Sequence, residues 1–334
     1  MVDGGIPMDV MLEHLEVLAN QSLRLWDVVP EGATARLINV SENATYLVEA
    51  PQWKSILRVH REGYHTATAI NCELAWSRAL NHEGGVITPD YYVGSDGKAV
   101  QAATVDGLPA PRQMVMFHFV EGVQPDENHD LVMPFEELGE IAAKTHLHSM
   151  GWARPEPFER LTWDLDAVFG PNPTWGNWRN APNVTREISE VLEKVEATIK
   201  RRLSAFGTGP KRYGLIHADM RLANLLIDGS GTRLIDFDDC GMGWYLYDFA
   251  ASISFMEDHP QVPALKVSWV KGYRKIHHLA DEDAAELDTF VMLRRLALLA
   301  WIGSHIEAPE PQALAPDFAR VSAELGEDYL KDFS

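Results

Sequence analysis

Polar and apolar positions alternate with a period of two over Ala35 to Val40, Thr45 to Glu49 and Ser55 to His60, and these β-branched-rich stretches predict three strands. In the third, Ile56, Arg58 and His60 share one face, and Leu57 and Val59 the other. From about Thr66 to Asn81 the pattern is helical, with Glu73 beside Ile70 and Leu74 near the apolar side. A partly buried carboxylate needs a counter-charge, which Arg58 could supply. Two more strands are expected within Pro89 to Gln101, around the turn Ser95-Asp96-Gly97, and another over Arg112 to Val120. Beyond Gly122 the patterns turn helical. Phe135 to Met150 spaces Leu138, Ile141, Ala142, Thr145 and Leu147 with a helical period, and further helices are expected near Ala264 to His277, Glu286 to His305 and Phe318 to Asp332. Those last helices offer packing and no evident chemistry.

One segment departs from this alternation of sheet and helix. Gly214 to Ala250 reads GLIHADMRLANLLIDGSGTRLIDFDDCGMGWYLYDFA. Apolar Leu225 to Ile227 and Leu234 to Ile235 flank Gly229-Ser230-Gly231, which predicts a hairpin with a three-residue loop. Pairing Asp228 with Thr232 would set Asn224 opposite Asp236. Cross-strand Cβ atoms lie roughly 4.5 to 5.5 Å apart, so an amide oxygen and a carboxylate could share a hard cation. Magnesium, with its oxygen ligands and its habit of bridging substrate phosphates, suits such a pair. Asp219 precedes Asn224 by five residues in the loop feeding the hairpin, where a carboxylate could accept a proton from an incoming hydroxyl.

His217-Ala-Asp219-Met-Arg-Leu-Ala-Asn224 has the H-x-D-x-x-x-x-N form of the protein-kinase catalytic loop, and Asp236 falls where the metal-binding Asp of D-F-G would stand. Ala218 in place of the kinase Arg, and IDFDD in place of D-F-G, resemble instead the kinase-like phosphotransferases of small molecules. That family comprises aminoglycoside phosphotransferases, choline kinases and type II homoserine kinases, and the wording around the site is most similar to the homoserine-kinase-like branch. The resemblance runs from about Ala33 to about Ser304, and the quoted segment is its specific part.

The resemblance implies an α+β, two-lobed protein-kinase-like fold. Residues 1–118 would form an N-lobe with an N-terminal helical extension and a five-stranded antiparallel sheet with one helix, and residues 119–334 a mainly helical C-lobe, with ATP in the cleft. Asp219 would orient and deprotonate the acceptor hydroxyl, and Asn224 and Asp236 would hold Mg2+ against the nucleotide phosphates. Arg221 takes the place of a phosphate-contacting Lys and would steady the γ-phosphate. His217 would pack and hydrogen-bond the loop, and Asp248 would brace it. Asp238 and Asp239 could join the metal or face the acceptor.

For nucleotide binding the resemblance implies Arg58 in place of the strand lysine, with Glu73 as its helix partner; Lys54 and Arg61 compete for that place. Arg is permanently charged and grips phosphate with a fork. Between the first two strands Ser41, Glu42 and Asn43 form a turn without glycine, which could still aim backbone amides at phosphate; a plain hairpin turn is the alternative. The hinge that meets the adenine edge would lie at about Met116 to Phe119, with Met116, Phe117 and Phe119 as contacts.

Other conspicuous residues have simpler explanations. His146 and His148 are two apart and point to different faces of a helix, so they read as packing or surface residues, and His277-His278 lacks further ligands at a zinc spacing. Leu161 to Asn183 interleaves Trp163, Asp164, Asp166, Trp175 and Trp178 with Gly and Pro. It is either an aromatic and acidic wall for an amine, through cation–π attraction, or a loop packed by its own tryptophans.

Composition narrows the partners. The chain has 334 residues, 46% of them hydrophobic, ample for the cores of two lobes. Two cysteines make a disulfide framework an unlikely design and fit a reducing, cytoplasmic setting. Glu13 and Glu16 interrupt the apolar stretch from Met8 to Leu18, so no secretory signal is expected, and Leu296 to Ile302 is too short to span a bilayer. A net charge of −20 argues against nucleic acid as a partner. It favours a cationic small-molecule hydroxyl acceptor if acid surrounds the site, and otherwise simply keeps the chain soluble. The expected activity is ATP- and Mg-dependent phosphoryl transfer to an amino alcohol, homoserine-like or aminoglycoside-like hydroxyl. A stress-response-type protein Ser/Thr kinase and a nucleotide-binding pseudokinase are the alternatives. Oligomeric state leaves no trace in the sequence.

Overall fold

The alternating segments become strands because each buries one face. The computed structural model describes residues 6–40, 43–229 and 231–333. The chain divides into a unit of Met1–Ala79, Thr88–Glu121 and Arg154–Glu159 and a unit of Leu80–Ile87, Gly122–Ala153 and Arg160–Ser334.

The first unit begins with α1 (Met8–Ser22), followed by β1 (Thr34–Val40), β2 (Ala44–Ala50), β3 (Trp53–Val59), α2 (Ala67–Ala79), β4 (Tyr91–Tyr92), β5 (Gln101–Ala103) and β6 (Arg112–His118). All pairings are antiparallel. Tyr46, Val48, Leu57 and Val59 share one core with Leu15, Leu18 and Ala19 of α1. On the other face Val115 packs with Ile70 and Leu74 of α2. Five strands were implied and the sheet has six, because β4 and β5 lie end to end on the edge of β6 that β3 leaves open.

The second unit contains α3 (Val132–Gly151), β7 (Leu161–Trp163), α4 (Leu165–Phe169), α5 (Arg186–Phe206), β8 (Tyr213–Ile216), β9 (Leu225–Asp228), β10 (Gly231–Leu234), β11 (Gly241–Trp244), α6 (Tyr247–Ser252), α7 (Val262–Ile276), α8 (Asp281–Ala284), α9 (Leu287–Ser304) and α10 (Pro309–Phe333). Helices α3 and α7 approach so closely that a Cβ on Gly272 would lie 1.8 Å from the Glu136 carbonyl oxygen. Helix α9 is apolar almost all round and buried, with Arg294 and Arg295 in its middle. Arg295 pairs with Glu257 and donates to Ser322 Oγ at 2.8 Å, tying α9 to α10. No helix among the described residues is long and apolar enough to cross a membrane.

Candidate active site

Strand β8 delivers the chain into the loop that holds Asp219. Ala218 there has φ +66°, a left-handed conformation that a non-glycine residue keeps only when its surroundings enforce it. Enforcement comes from Asp248 in the first turn of α6: Oδ1 accepts from the Ala218 N–H at 2.7 Å and Oδ2 from the His217 N–H at 3.2 Å. His146 of α3, fully buried, meets the same Oδ2 through Nε2 at 2.9 Å and the Tyr273 hydroxyl through Nδ1 at 3.0 Å. His146 is thus part of the brace behind the loop. His217 accepts from the Asp219 N–H at Nδ1 (3.2 Å), which places its proton on Nε2, facing the Ile235 carbonyl at 3.1 Å. Both nitrogens are occupied, as suits a structural histidine.

Asp219 presents a carboxylate whose side chain is 16% exposed and held at both oxygens. Oδ2 accepts from Asn224 Nδ2 at 2.7 Å, and Oδ1 from Arg294 Nη2 at 2.7 Å. Arg221 lies beside it, Nε 3.5 Å from Oδ2, with Nη1 donating to Glu310 of α10 at 2.8 Å. Burial works against the charge on Arg221, but Asp219 and Glu310 outweigh it and push its pKa above the ordinary value. For Arg294 burial is again the largest influence and is again overcome, here by Tyr247 and Asp219.

The hairpin forms in a register one residue from the expected one. Gly231, and not Thr232, pairs with Asp228, so Asn224 stands opposite Ile235, whose N–H donates to the Asn224 carbonyl at 2.9 Å. Asp236 therefore lies one residue beyond the position opposite Asn224. It is exposed and has φ +59°, which turns the chain away from the ladder. Because Asn224 spends its amide N–H groups on Asp219, at the backbone carbonyl (2.9 Å) and Oδ2, its Oδ1 takes no hydrogen bond among the described residues. The amide oxygen of a buried Asn224 and the exposed carboxylate of Asp236 are a donor pair that fits a hard cation drawing its remaining ligands from phosphate and water. No cluster of three or more His, Cys, Asp or Glu suited to a metal occurs among the described residues. The backbone carbonyls of Asp238 and Asp239 accept from Arg160 and from Trp163 Nε1 respectively, which ties down the segment after Asp236.

In the first unit, Arg58 of β3 lies on the α2 face, where its Nη2 is 2.5 Å from Glu73 Oε1 with both side chains buried. Its guanidinium also sits 4.9 Å from the Phe117 ring centroid. Lys54 is half exposed, 3.7 Å from Glu49 and 5.4 Å from the Phe119 ring centroid. The Arg61 N–H donates to Asn43 Oδ1 at 3.1 Å, joining the residue before β2 to the segment that follows β3. Ser41 and Glu42 lie outside the described residues. Met116 is fully buried mid-strand, paired to Leu57 and Tyr92, whereas the Phe117 carbonyl accepts from Ser55 Oγ at 2.7 Å. Phe119 follows the end of β6.

Of the two alternatives for Leu161 to Asn183, the second unit shows the packed loop. Trp163 and Trp178 are 1% exposed and Trp175 is 6% exposed, with Trp178 Nε1 donating to Glu196 at 2.8 Å, so the segment packs on its own tryptophans. The last helices, expected to offer packing alone, supply Arg294 and Glu310 to the site. A signal existed: Arg294-Arg295 interrupts an otherwise apolar helix, and buried charges require partners.

The model of the phosphotransferase enzyme family (APH) matches residues 34–287. Among solved structures the chain is similar to the microcompartment-associated aminopropanol kinase, at 44% identity, covering 94% of this chain and 97% of that one with a TM-score of 0.87. The amicoumacin kinase hAmiN, in complex with AMP-PNP, Ca2+ and Ami, shares the fold with a TM-score of 0.76 at 19% identity over 96% of each chain. A homoserine kinase of Pseudomonas aeruginosa is 28% identical over 216 residues, 64% of this chain and 61% of that protein.

Proposed function

Because the chain belongs to the phosphotransferase enzyme family and so moves a phosphoryl group to the hydroxyl of a small molecule, we propose that Asp219 receives the hydroxyl and that the acceptor is a small amino alcohol. The fold is the α+β, protein-kinase-like fold of that family, and the family's activity implies ATP as the phosphate donor. The observation that carries the proposal is the Asp219 carboxylate, partly exposed and fixed at both oxygens beside Asn224. As the acceptor oxygen bonds to the γ-phosphorus and the bond to the β-phosphate bridging oxygen breaks, Asp219 takes the hydroxyl proton and ADP departs. Arg221 steadies charge on the transferred group.

Asn224 Oδ1 and Asp236 are the groups that would hold magnesium, which when bound supplies charge neutralisation at the phosphate oxygens. Arg58, aligned by Glu73, would grip the α- and β-phosphates. Residues 41–43 would contribute to phosphate binding, and the segment of Met116, Phe117 and Phe119 would meet the adenine. Nucleotide binding would then belong to residues 1–118, and catalysis and acceptor binding to residues 119–334. The amino alcohol preference draws on the 44% likeness to the aminopropanol kinase. A cytoplasmic setting belongs to the same proposal and is supported by a chain with only two cysteines, Cys72 and Cys240, both buried.

The test is magnesium-dependent ADP release from ATP with 1-amino-2-propanol, ethanolamine, homoserine, choline and an aminoglycoside, with Asp219→Asn as control. Release stimulated by an amino alcohol and lost in the control is expected. Release that no amino alcohol raises above the control would sink the proposal.

A further inference from the structure

We infer that Arg294 is the positioning residue of this site, locking the Asp219 carboxylate into the orientation from which it meets the acceptor hydroxyl. The inference rests on the assignment of Asp219 as the group that receives that hydroxyl. Arg294 sits in the middle of α9 and is 2% exposed. Its guanidinium is held on every side: Nε donates to Ser254 Oγ at 3.1 Å, Nη1 to the Ala218 carbonyl at 3.1 Å and to the Tyr247 hydroxyl at 3.4 Å, and Nη2 to Asp219 Oδ1 at 2.7 Å. The rings of Trp175 and Tyr247 lie 5.1 and 5.6 Å from it.

A planar fork pinned by four polar partners is a rigid reference point, and a charge-assisted bond from it to a carboxylate is among the stronger hydrogen bonds. With Oδ1 on Arg294 and Oδ2 on Asn224, rotation of the carboxylate breaks one bond or both. The acceptor hydroxyl then meets a carboxylate with a single available orientation. Arg294 also secures the backbone. The peptides on either side of the left-handed Ala218 are both anchored, the N–H to Asp248 and the C=O to Arg294, so the loop cannot relax and carry Asp219 with it. Burial, with four of its five N–H donors already engaged, argues against Arg294 as a grip on phosphate, a part left to the more exposed Arg221.

The experiment compares Arg294→Met and Arg294→Lys with Asp219→Asn in the full chain, reading kcat, KM for ATP and thermal unfolding with the acceptor that supports turnover. Misplacing a catalytic group by about 1 Å costs on the order of 100-fold. Arg294→Met should therefore lose about 100-fold in kcat with KM for ATP changed less than about twofold. Arg294→Lys should recover to within about tenfold of the parent, because one ammonium cannot span both Asp219 and the Ala218 carbonyl. A packing role would lower the melting temperature and leave kcat per folded molecule intact. An inactive Asp219→Asn beside an Arg294→Met with nearly parental kcat overturns the inference and leaves the Asp219 assignment standing. An active Asp219→Asn overturns both. Should Arg294→Met fail to fold, Arg294→Lys decides: parental kcat refutes positioning, and a roughly tenfold loss at constant KM for ATP supports it.

Discussion

Replacing Asp248 by Asn tests whether the loop conformation depends on its brace. The carboxylate accepts from two backbone N–H groups, at Ala218 (2.7 Å) and His217 (3.2 Å), and from His146 Nε2 (2.9 Å), and all of these groups are buried. An Asn side chain keeps one acceptor oxygen and turns an NH2 toward the other partners. His146 can answer by moving its proton to Nδ1, since the Tyr273 hydroxyl can accept as well as donate. The His217 N–H has no such freedom. A buried donor left without a partner costs about 1 to 3 kcal/mol, and the bond kept at Ala218 loses its charge assistance. A combined loss of about 3 kcal/mol corresponds to a melting temperature lower by about 6 to 12 °C, at about 2 to 4 °C per kcal/mol for a body of 150–250 residues. Relaxation of the left-handed Ala218 would also move Asp219, so kcat should fall on the order of 100-fold. Thermal unfolding and saturating kinetics measure the two effects. A variant that melts within about 2 °C of the parent with parental kcat would refute the brace.

At the α3–α7 contact, Gly272→Ala should lower the denaturant midpoint by about 1 to 3 kcal/mol equivalent, because the added Cβ would fall 1.8 Å from the Glu136 carbonyl oxygen and the helices must part. Gly139→Ala, whose Cβ would fall 2.1 Å from the Trp269 carbonyl oxygen, should act in the same direction, and an unchanged midpoint in both variants would contradict so close a contact. His148 and His277 have pKa values lowered chiefly by burial, so the unfolded chain binds protons at these positions more readily. Stability from them is complete above the ordinary histidine pKa of about 6.5 and should decline as pH falls below it through the lowered folded values. Urea titrations between pH 7.5 and 5 should show that decline, shallower in a His148→Gln, His277→Gln double variant; an equal slope in both proteins would remove histidine burial as the cause.

Local pattern determined much of this protein. Period-two alternation located β1, β2 and β3, because a half-buried sheet tends to write its buried face into every second residue. The same alternation put Arg58 on the α2 face, from which the helical period of α2 brings Glu73 to meet it. The order of His217, Asp219, Asn224 and Asp236 was legible as a motif since the loop and hairpin that hold them are contiguous in the chain. Tertiary structure decided the rest. Hairpin register depended on where the turn closes, and a shift of one residue placed Ile235 opposite Asn224. Arg294 and Glu310 reach the site from helices 75 and 89 residues beyond their partners, Asp219 and Arg221, a distance across which no periodicity reports. The tryptophans turned inward because packing, invisible to a run of aromatic letters, offered Trp178 a buried carboxylate on Glu196. Sequence specifies what lies on each face of an element; which faces meet is settled by the folding of the whole chain, and that meeting supplied Asp219 with its buried cation.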